Sequence, residues 1–504
     1  MSKSKLILLA LVAAATGIIY LLRDSGKPSA GGAGDAGDIE LTMFCAAGIK
    51  EPVSRLAADF EKETGIKVAL QYGGSGTLLS SMEIAPPDIY LAADQSYTDL
   101  AAEKGLVGET FAAAIMRAGF GVPKGNPLGL SSLADLRREG LRIGLANPDA
   151  ASVGKFTKKI LSAAGAWEPV EPQVKLFTPT VNELANAMKL GQLDVAILWD
   201  AVAAQYPEID FVPLPEFDAE PKHVSAAVGV KSAHPTEAIA FCRFLAAPDR
   251  GGAVFRETGY EPAGGDRWAL RPAVTLFSGA MLQPAIRETI REFEAREGCT
   301  VATSYNGCGV LVAQIEAGAK PDAYFSCDQS FLDLVEDRFA KGRTVSANDM
   351  VILVQKGNPK AIASLADLAA PGLGIAFAHP EKSALGALTV RLLEREGLAQ
   401  KIADSGNQKL DSATGDFLVN QIATGSLDAV IVYRSNALAH AGTLEKCDLV
   451  EIKAAGAKAV QPYAVAKDAK FPRLMDRLLD AITSAEGEKR FRGVGFEWRL
   501  EPAP

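Results

Sequence analysis

The sequence predicts an α/β protein built as two copies of one two-lobed domain. Two observations carry this. The first is a long internal repeat. "KGNP" at 124–127 returns at 356–359, and "SLADL" at 132–136 returns at 364–368. "GQLDVAILW" at 191–199 returns as "GSLDAVIVY", "PPDIYLAADQSYTDL" at 86–100 as "KPDAYFSCDQSFLDL", and "FRETGYEP" at 255–262 as "FRGVGFEW". All five separations lie between 232 and 236 residues. Chance does not hold one spacing across five strings, and solenoid repeats are far shorter. The second observation is that β-rich apolar runs alternate with helical patterns inside each copy, as expected of an α/β sheet with ligands at the strand carboxyl ends.

The first copy is placed at 39–262, the second at 272–499, and "AGGDRWALR" at 263–271 links them. In order, "IELTMFCA" reads as a strand and "KEPVSRLAADFEKETG" as a helix stopping at Gly65. "IKVALQYG" and "PDIYLAAD" are strands, and "SYTDLAAEKG" is a helix stopping at Gly105. "LRIGLANP" is a strand before the helix "SVGKFTKKILSAAGA"; "VNELANAMKLGQ" is a helix before the buried strand "DVAILW". "PTEAIAFCRFLAA" and "GAVFRETG" close the copy as helices. The expectation is largely parallel sheets in two lobes. The second lobe spans about 119–224 in the first copy and about 350–460 in the second, with ligand between the lobes.

Composition narrows the function. The chain has 504 residues and a net charge of −9, from 52 Lys+Arg against 61 Asp+Glu. That argues against nucleic acid as a partner, which needs a basic footprint. Lys3 and Lys5 precede an apolar run at 6–22, and a Gly/Ala/Ser-rich spacer occupies 25–38. Residues 1–24 therefore read as a signal peptide or an uncleaved inner-membrane anchor, with a slight lean to the anchor; both export the chain. No Cys follows the run, which argues against a lipid anchor. The six cysteines (45, 242, 299, 308, 327, 447) form no CxxC and no zinc spacing, and buried thiols are the default reading.

Enzyme chemistry finds little support. "GGSGT" at 73–77 is neither G-x-S-x-G nor a Walker A loop. None of the four His recurs in the other copy. Asp88 and Asp94 recur as Asp322 and Asp328, at the two ends of a strand, where turn and capping roles suit them. Anion binding fits better. "QYGGSGTLLSSME" reads as a strand, a Gly-rich turn and a helix, whose first-turn N–H groups face the turn. "FCAAGIKEPV", "ANPDAASVGKF" and "TPTVNELA", with Thr180 as cap, offer the same arrangement. An ordinary capped turn accounts for each singly; four in one two-lobed unit point to an oxyanion.

These motifs, in this order, resemble the molybdate-binding proteins, the periplasmic binding components of molybdate/tungstate ABC importers. The resemblance covers nearly the whole of each copy. It implies a tandem periplasmic-binding-protein fold of type II, each lobe a Rossmann-like sheet flanked by helices. It implies an inner-membrane ABC permease as partner, no cofactor, and a molybdate- or tungstate-like ligand held by hydroxyls and backbone N–H groups. The binding positions carry over to Gly48, Ser75, Val153, Val181 and Trp199 in the first copy. In the second they fall on Met281, Cys308, Leu385, Gly415 and Tyr433. The first copy keeps one of three family hydroxyls, Ser75; the second keeps only Tyr433. Cys308 reads as a small buried residue, as a partner for Cys327, or as a soft ligand contact. Met281 closes the second site or changes its ligand. The competing readings are a sensor or interaction module with one or both clefts degenerate, an iron-type binder using Tyr72 and Tyr305, and an enzyme on the same fold.

Overall fold

The computed structural model describes residues 39–439 and 442–500. The leader and spacer expected at 1–38 lie outside the described residues. Among the described residues, no helix is long and apolar enough to cross a membrane.

In the first copy β1 (Glu40–Ala46) runs through one 3-10 turn into the helix Lys50–Thr64, which Gly65 ends at φ 78°. β2 (Lys67–Gly73) and β3 (Ile89–Ala92) flank β1, both parallel to it. β4 (Val107–Met116) then leaves the lobe, and after Arg117 the chain continues as β5 (Ala118–Pro123) in the second lobe. There β6 (Ile143–Ala146), β7 (Val174–Thr178), β8 (Val195–Trp199) and β9 (Ile209–Pro213) complete the sheet. β10 (Lys222–Gly229) returns to the first lobe, and β11 (Glu261–Pro262) edges it. The sheet orders are β11-β4-β10-β3-β1-β2 and β7-β6-β8-β5-β9. The chain thus passes between lobes twice, which leaves two strands of backbone as the natural hinge.

The expectation of largely parallel sheets needs correcting, because each sheet is mixed. β10 is antiparallel to both β3 and β4, and β5 is antiparallel to both β8 and β9. Parallel neighbours arise where a helix carries the chain back over its own sheet. The strands that pass between lobes have no such crossover.

The second copy repeats the plan with β12 (Ala273–Gly279), β13 (Thr300–Asn306), β14 (Ala323–Phe325), β15 (Arg343–Gln355), β16 (Ile375–Ala378), β17 (Gln408–Ser412), β18 (Ala429–Tyr433), β19 (Cys447–Glu451), β20 (Lys458–Val465) and β21 (Glu497–Trp498). β15 is one unbroken strand where the first copy has β4 and β5, so the sheets of both lobes join into ten strands. The crossing point also reverses its charges. Arg117 and Asp200 of the first copy meet through Arg117 N donating to Asp200 Oδ1 at 3.1 Å. Their counterparts are Asp349 and Arg434, 3.7 Å apart.

The copies dock through a polar seam set in apolar walls. Buried Glu297 takes two hydrogen bonds from Arg477, at 2.6 and 2.9 Å, and its carbonyl accepts from Arg243 Nη1 of the first copy at 2.9 Å. The Arg477 guanidinium lies 4.6 Å from the centre of the Phe111 ring. Arg296 grips Glu109 with two bonds, at 2.8 and 2.9 Å. The linker is folded into this seam. Trp268 packs edge-on to Phe244, with ring centres 5.0 Å apart. Asp266 accepts the N–H groups of Arg473 and Leu474 at the start of the helix Pro472–Ile482.

Candidate functional site

The carboxyl ends of β1, β2, β6 and β7 each lead into a helix start. In the first copy these are the turn at Ala47–Ile49 and the helices Ser75–Met82, Ser152–Ala163 and Val181–Lys189. First-turn N–H groups have no partner inside their own helix, and each helix start carries partial positive charge. Gly48, Ser75, Val153, Val181 and Trp199 all line one small cavity between the lobes, of about 20 Å³. No ionisable side chain lines it. The arrangement offers an anion neutral donors from both lobes and no counter-charge.

Ser75 is held from two sides. Its Oγ accepts from Ala93 N at 3.2 Å, and its carbonyl accepts from the Tyr90 hydroxyl at 2.7 Å. An oxygen that already accepts one N–H can turn its own proton into the cavity. Ala93 was not legible as a site residue from sequence, yet its N–H orients Ser75. Thr180 caps the fourth helix as expected, its Oγ1 accepting from Glu183 N at 3.3 Å. Trp199 is buried and stacks on Phe156 at 6.3 Å, so it walls the cavity as well as facing it.

The glycines of "YGGSG" have a different cause from close approach to a ligand. A Cβ at Gly74 would overlap the Ala150 and Pro179 carbonyl oxygens, and one at Gly76 would overlap that of Asp149. Gly76 N donates to Ala150 O at 2.9 Å. The first lobe's Gly-rich turn therefore sits directly against backbone of the second lobe, and the cleft is closed. Gly307 and Gly309 do the same in the second copy, against Lys382, Ala413 and Glu381 carbonyls. Tyr72, beside this turn, is not among the lining residues; its hydroxyl lies 2.7 Å from Ser54 Oγ.

The second cleft brings together Met281, Leu385, Gly415 and Tyr433 in a cavity of similar size. Cys308 stands behind Cys327, which lines the cavity. The two Sγ atoms are 2.6 Å apart, and Cys327 N donates to Cys308 Sγ at 3.1 Å, as Ala93 N does to Ser75. Burial works against ionisation of Cys308. Hydrogen bonds from Cys327, Tyr324 and Ser326 outweigh it and hold the thiol below its ordinary range. The Tyr433 hydroxyl is buried with no hydrogen-bond partner, and burial keeps it protonated, a donor aimed at nothing in the protein. Asp416 also lines this cavity, its Oδ1 accepting from Asn436 Nδ2 at 2.8 Å.

Side-chain volumes are exchanged between the clefts. A Cβ at Gly48 would touch Val181 and Val202; a Cβ at Gly415 would overlap Asn436. The first cleft sets Gly48 against Val181, and the second has Met281 and Gly415 at the corresponding positions of its lining. Each keeps the space filled by opposite choices. The two acid pairs read as structural from sequence also take capping and turn roles. Asp94 and Asp328 accept from Ser96 N and Ser330 N; Asp88 and Asp322 accept from Thr42 N and Thr275 N.

The family model for bacterial extracellular solute-binding proteins matches residues 41–261 and again 274–497. The chain belongs to this family. The solute-binding fold is therefore present twice in tandem, and the relatives match it one copy at a time. A putative binding protein of Haemophilus influenzae is 26% identical over 226 residues, 44% of this chain and 91% of that protein. The molybdate-binding protein ModA of Mycobacterium tuberculosis is 30% identical over 228 residues, 44% of this chain and 84% of its own length. Among solved structures, the Azotobacter vinelandii periplasmic molybdate-binding protein aligns at 21% identity and TM-score 0.39, covering 44% of this solute-binding chain and 98% of its own.

Proposed function

We propose that the protein is an exported solute-binding component of an ABC importer, and that its first cleft takes a tetrahedral oxyanion of the molybdate or tungstate kind. The observation that carries this reading is the uncharged cavity at Gly48, Ser75, Val153, Val181 and Trp199, faced by helix starts from both lobes. Donors without counter-charge favour a fully ionised anion. A protonated one brings a donor of its own, which finds no acceptor. Ser75 Oγ and the N–H groups of Val153 and Val181 hold the ligand, and the two inter-lobe strands let the lobes close over it. A permease of the inner membrane receives it; binding and release are the whole activity, with no catalytic step. Export through residues 1–24 places the protein in the periplasm, anchored by 6–22 if the segment is retained. Titrating the protein with molybdate, tungstate, sulfate and phosphate by calorimetry tests this. Saturable heat that collapses in Ser75→Ala supports it, and no heat with any of the four sinks it.

A second reading is carried by the second cleft alone. Met281 fills space that Gly48 leaves in the first copy, Cys327 replaces Ala93 and Asp416 brings a carboxylate, so that copy acts as a sensor or interaction module, or takes a different ligand through the Tyr433 hydroxyl.

A further inference from the structure

The second copy changes three touching positions together. Ser75 becomes Cys308, Ala93 becomes Cys327 and Ala46 becomes Gly279. These are not independent. A Cβ at Gly279 would overlap Cys327 Sγ and stand 3.3 Å from Cys308 Sγ. The alanine of the first copy is thus incompatible with the thiol of the second. The glycine makes room for the sulfur, and the sulfur has a partner. The Sγ–Sγ separation of 2.6 Å approaches the covalent length of about 2.05 Å. Cys308 opens the helix Cys308–Glu316 and Cys327 follows β14, so both belong to the first lobe of the second copy.

We propose that Cys308 and Cys327 are a redox pair that closes to a disulfide in the floor of the second cleft. The co-reactant is an external disulfide, RSSR, of protein or small-molecule origin. Cys327, which lines the cleft, gives up its proton and attacks one sulfur of RSSR, and one RS⁻ leaves. Cys308 Sγ then attacks the Cys327 sulfur of the mixed disulfide, and the second RS⁻ leaves. Two thiols lose two electrons and two protons, and RSSR carries both away as two RSH. The hydrogen bonds on Cys308 hold it towards its thiolate and suit it to the resolving step. The bond to Cys308, with burial, pushes the Cys327 thiol up. Cys327 attacks first because it is the one that faces the cleft, and it loses its proton as it does so.

The bridge has two consequences. It staples the Gly-rich turn to the end of β14 across 19 residues of chain, which restricts the unfolded chain. It also removes the Cys327 S–H from the cleft and the Cys308 S–H behind it. The place where Ser75 offers a hydroxyl in the first copy then offers no side-chain donor in the second. This second consequence rests on the anion-binding reading; the disulfide itself does not.

The test is to refold the full chain from denaturant with glutathione and its disulfide, alkylate without reduction, and map peptides by mass spectrometry. The expected result is a cross-linked peptide joining Cys308 to Cys327, with Cys45, Cys242, Cys299 and Cys447 alkylated. The melting temperature should fall by several degrees on reduction, and this difference should vanish in Cys308→Ser. Alkylation of both Cys308 and Cys327 after oxidative refolding, or their pairing with other cysteines, would overturn the proposal. The readout needs no bound anion, so its failure and that of the proposed function are separate results.

Discussion

At the scale of the residue, Ser75 and Tyr433 are the two retained family-position hydroxyls, one lining each cleft, and they differ in how they are held. Ser75 is fixed by Ala93 N and Tyr90, so its hydroxyl serves the fold through its oxygen and a ligand through its proton. Ser75→Ala should lower oxyanion affinity by ~1.5–3 kcal/mol, the range for a hydrogen bond to a charged group, and should also lower the ligand-free melting temperature, because it strands the buried Ala93 N–H. Calorimetry and thermal melts together check this. Tyr433 is the reverse case, because its buried hydroxyl has no protein partner. An unsatisfied buried donor is costly. Tyr433→Phe should therefore leave ligand-free stability unchanged or raise it by ~1 kcal/mol, while abolishing any ligand-induced rise contributed by the second copy. Melts of both proteins across a ligand series decide it, and a loss of ligand-free stability would show that the hydroxyl has a partner after all.

At the scale of the element, the Gly-rich turns decide whether the lobes can meet. Gly74→Ala puts a methyl group against the Ala150 and Pro179 carbonyls. It should hold the first copy open, cut its ligand affinity at least tenfold, and leave the ligand-free melting temperature nearly unchanged. Small-angle scattering with and without ligand reads the closure directly. The same turns show how far sequence reaches. Helices such as Lys50–Thr64 and Val181–Lys189 were legible because they carry apolar periodicity, a cap or a terminal glycine. Strands β8 and β18 were legible as short buried apolar runs. β4, β5 and β10 were not read as strands. "ETFAAAIMRAGFGVP" is rich in Ala and Gly, which have weak strand preference, and its extended form comes from pairing with β8, β9 and β10. The turn residues were placed correctly along the chain, but their glycines answer to carbonyls of the other lobe, more than a hundred residues away in the case of Pro179. No local pattern encodes that contact. Ala93 was passed over for the same reason, although its pairing with Cys327 in the repeat was a usable signal.

At the scale of the molecule, the repeat made the tandem architecture plain, while the seam between the copies was invisible, because Arg243, Glu297 and Arg477 have no counterparts as a set. Their burial makes the seam sensitive. Glu297→Ala leaves two buried guanidinium groups uncompensated, and breaking such a pair costs about 3–5 kcal/mol. Calorimetry should then show two melting transitions where the parent shows one. Acid acts on the neighbouring pair. Burial alone would raise Glu109, but the Arg296 hydrogen bonds reverse this and hold it below the usual carboxylate range. A lowered folded-state value means that the stabilisation is full above the unfolded value, about 4.3 for Glu. It is lost as pH falls through the folded value. Docking of the copies should weaken below about pH 4, and Arg296→Met should flatten that part of the stability profile. The central claim is that a neutral, helix-start cleft in the first copy holds a tetrahedral oxyanion. Anomalous diffraction at the molybdenum edge, from crystals grown with saturating molybdate, tests it most directly. The account predicts a single strong peak between Ser75 Oγ and the N–H groups of Val153 and Val181; saturated crystals with no peak in that cleft, or with density only at arginine-lined surfaces, would contradict it.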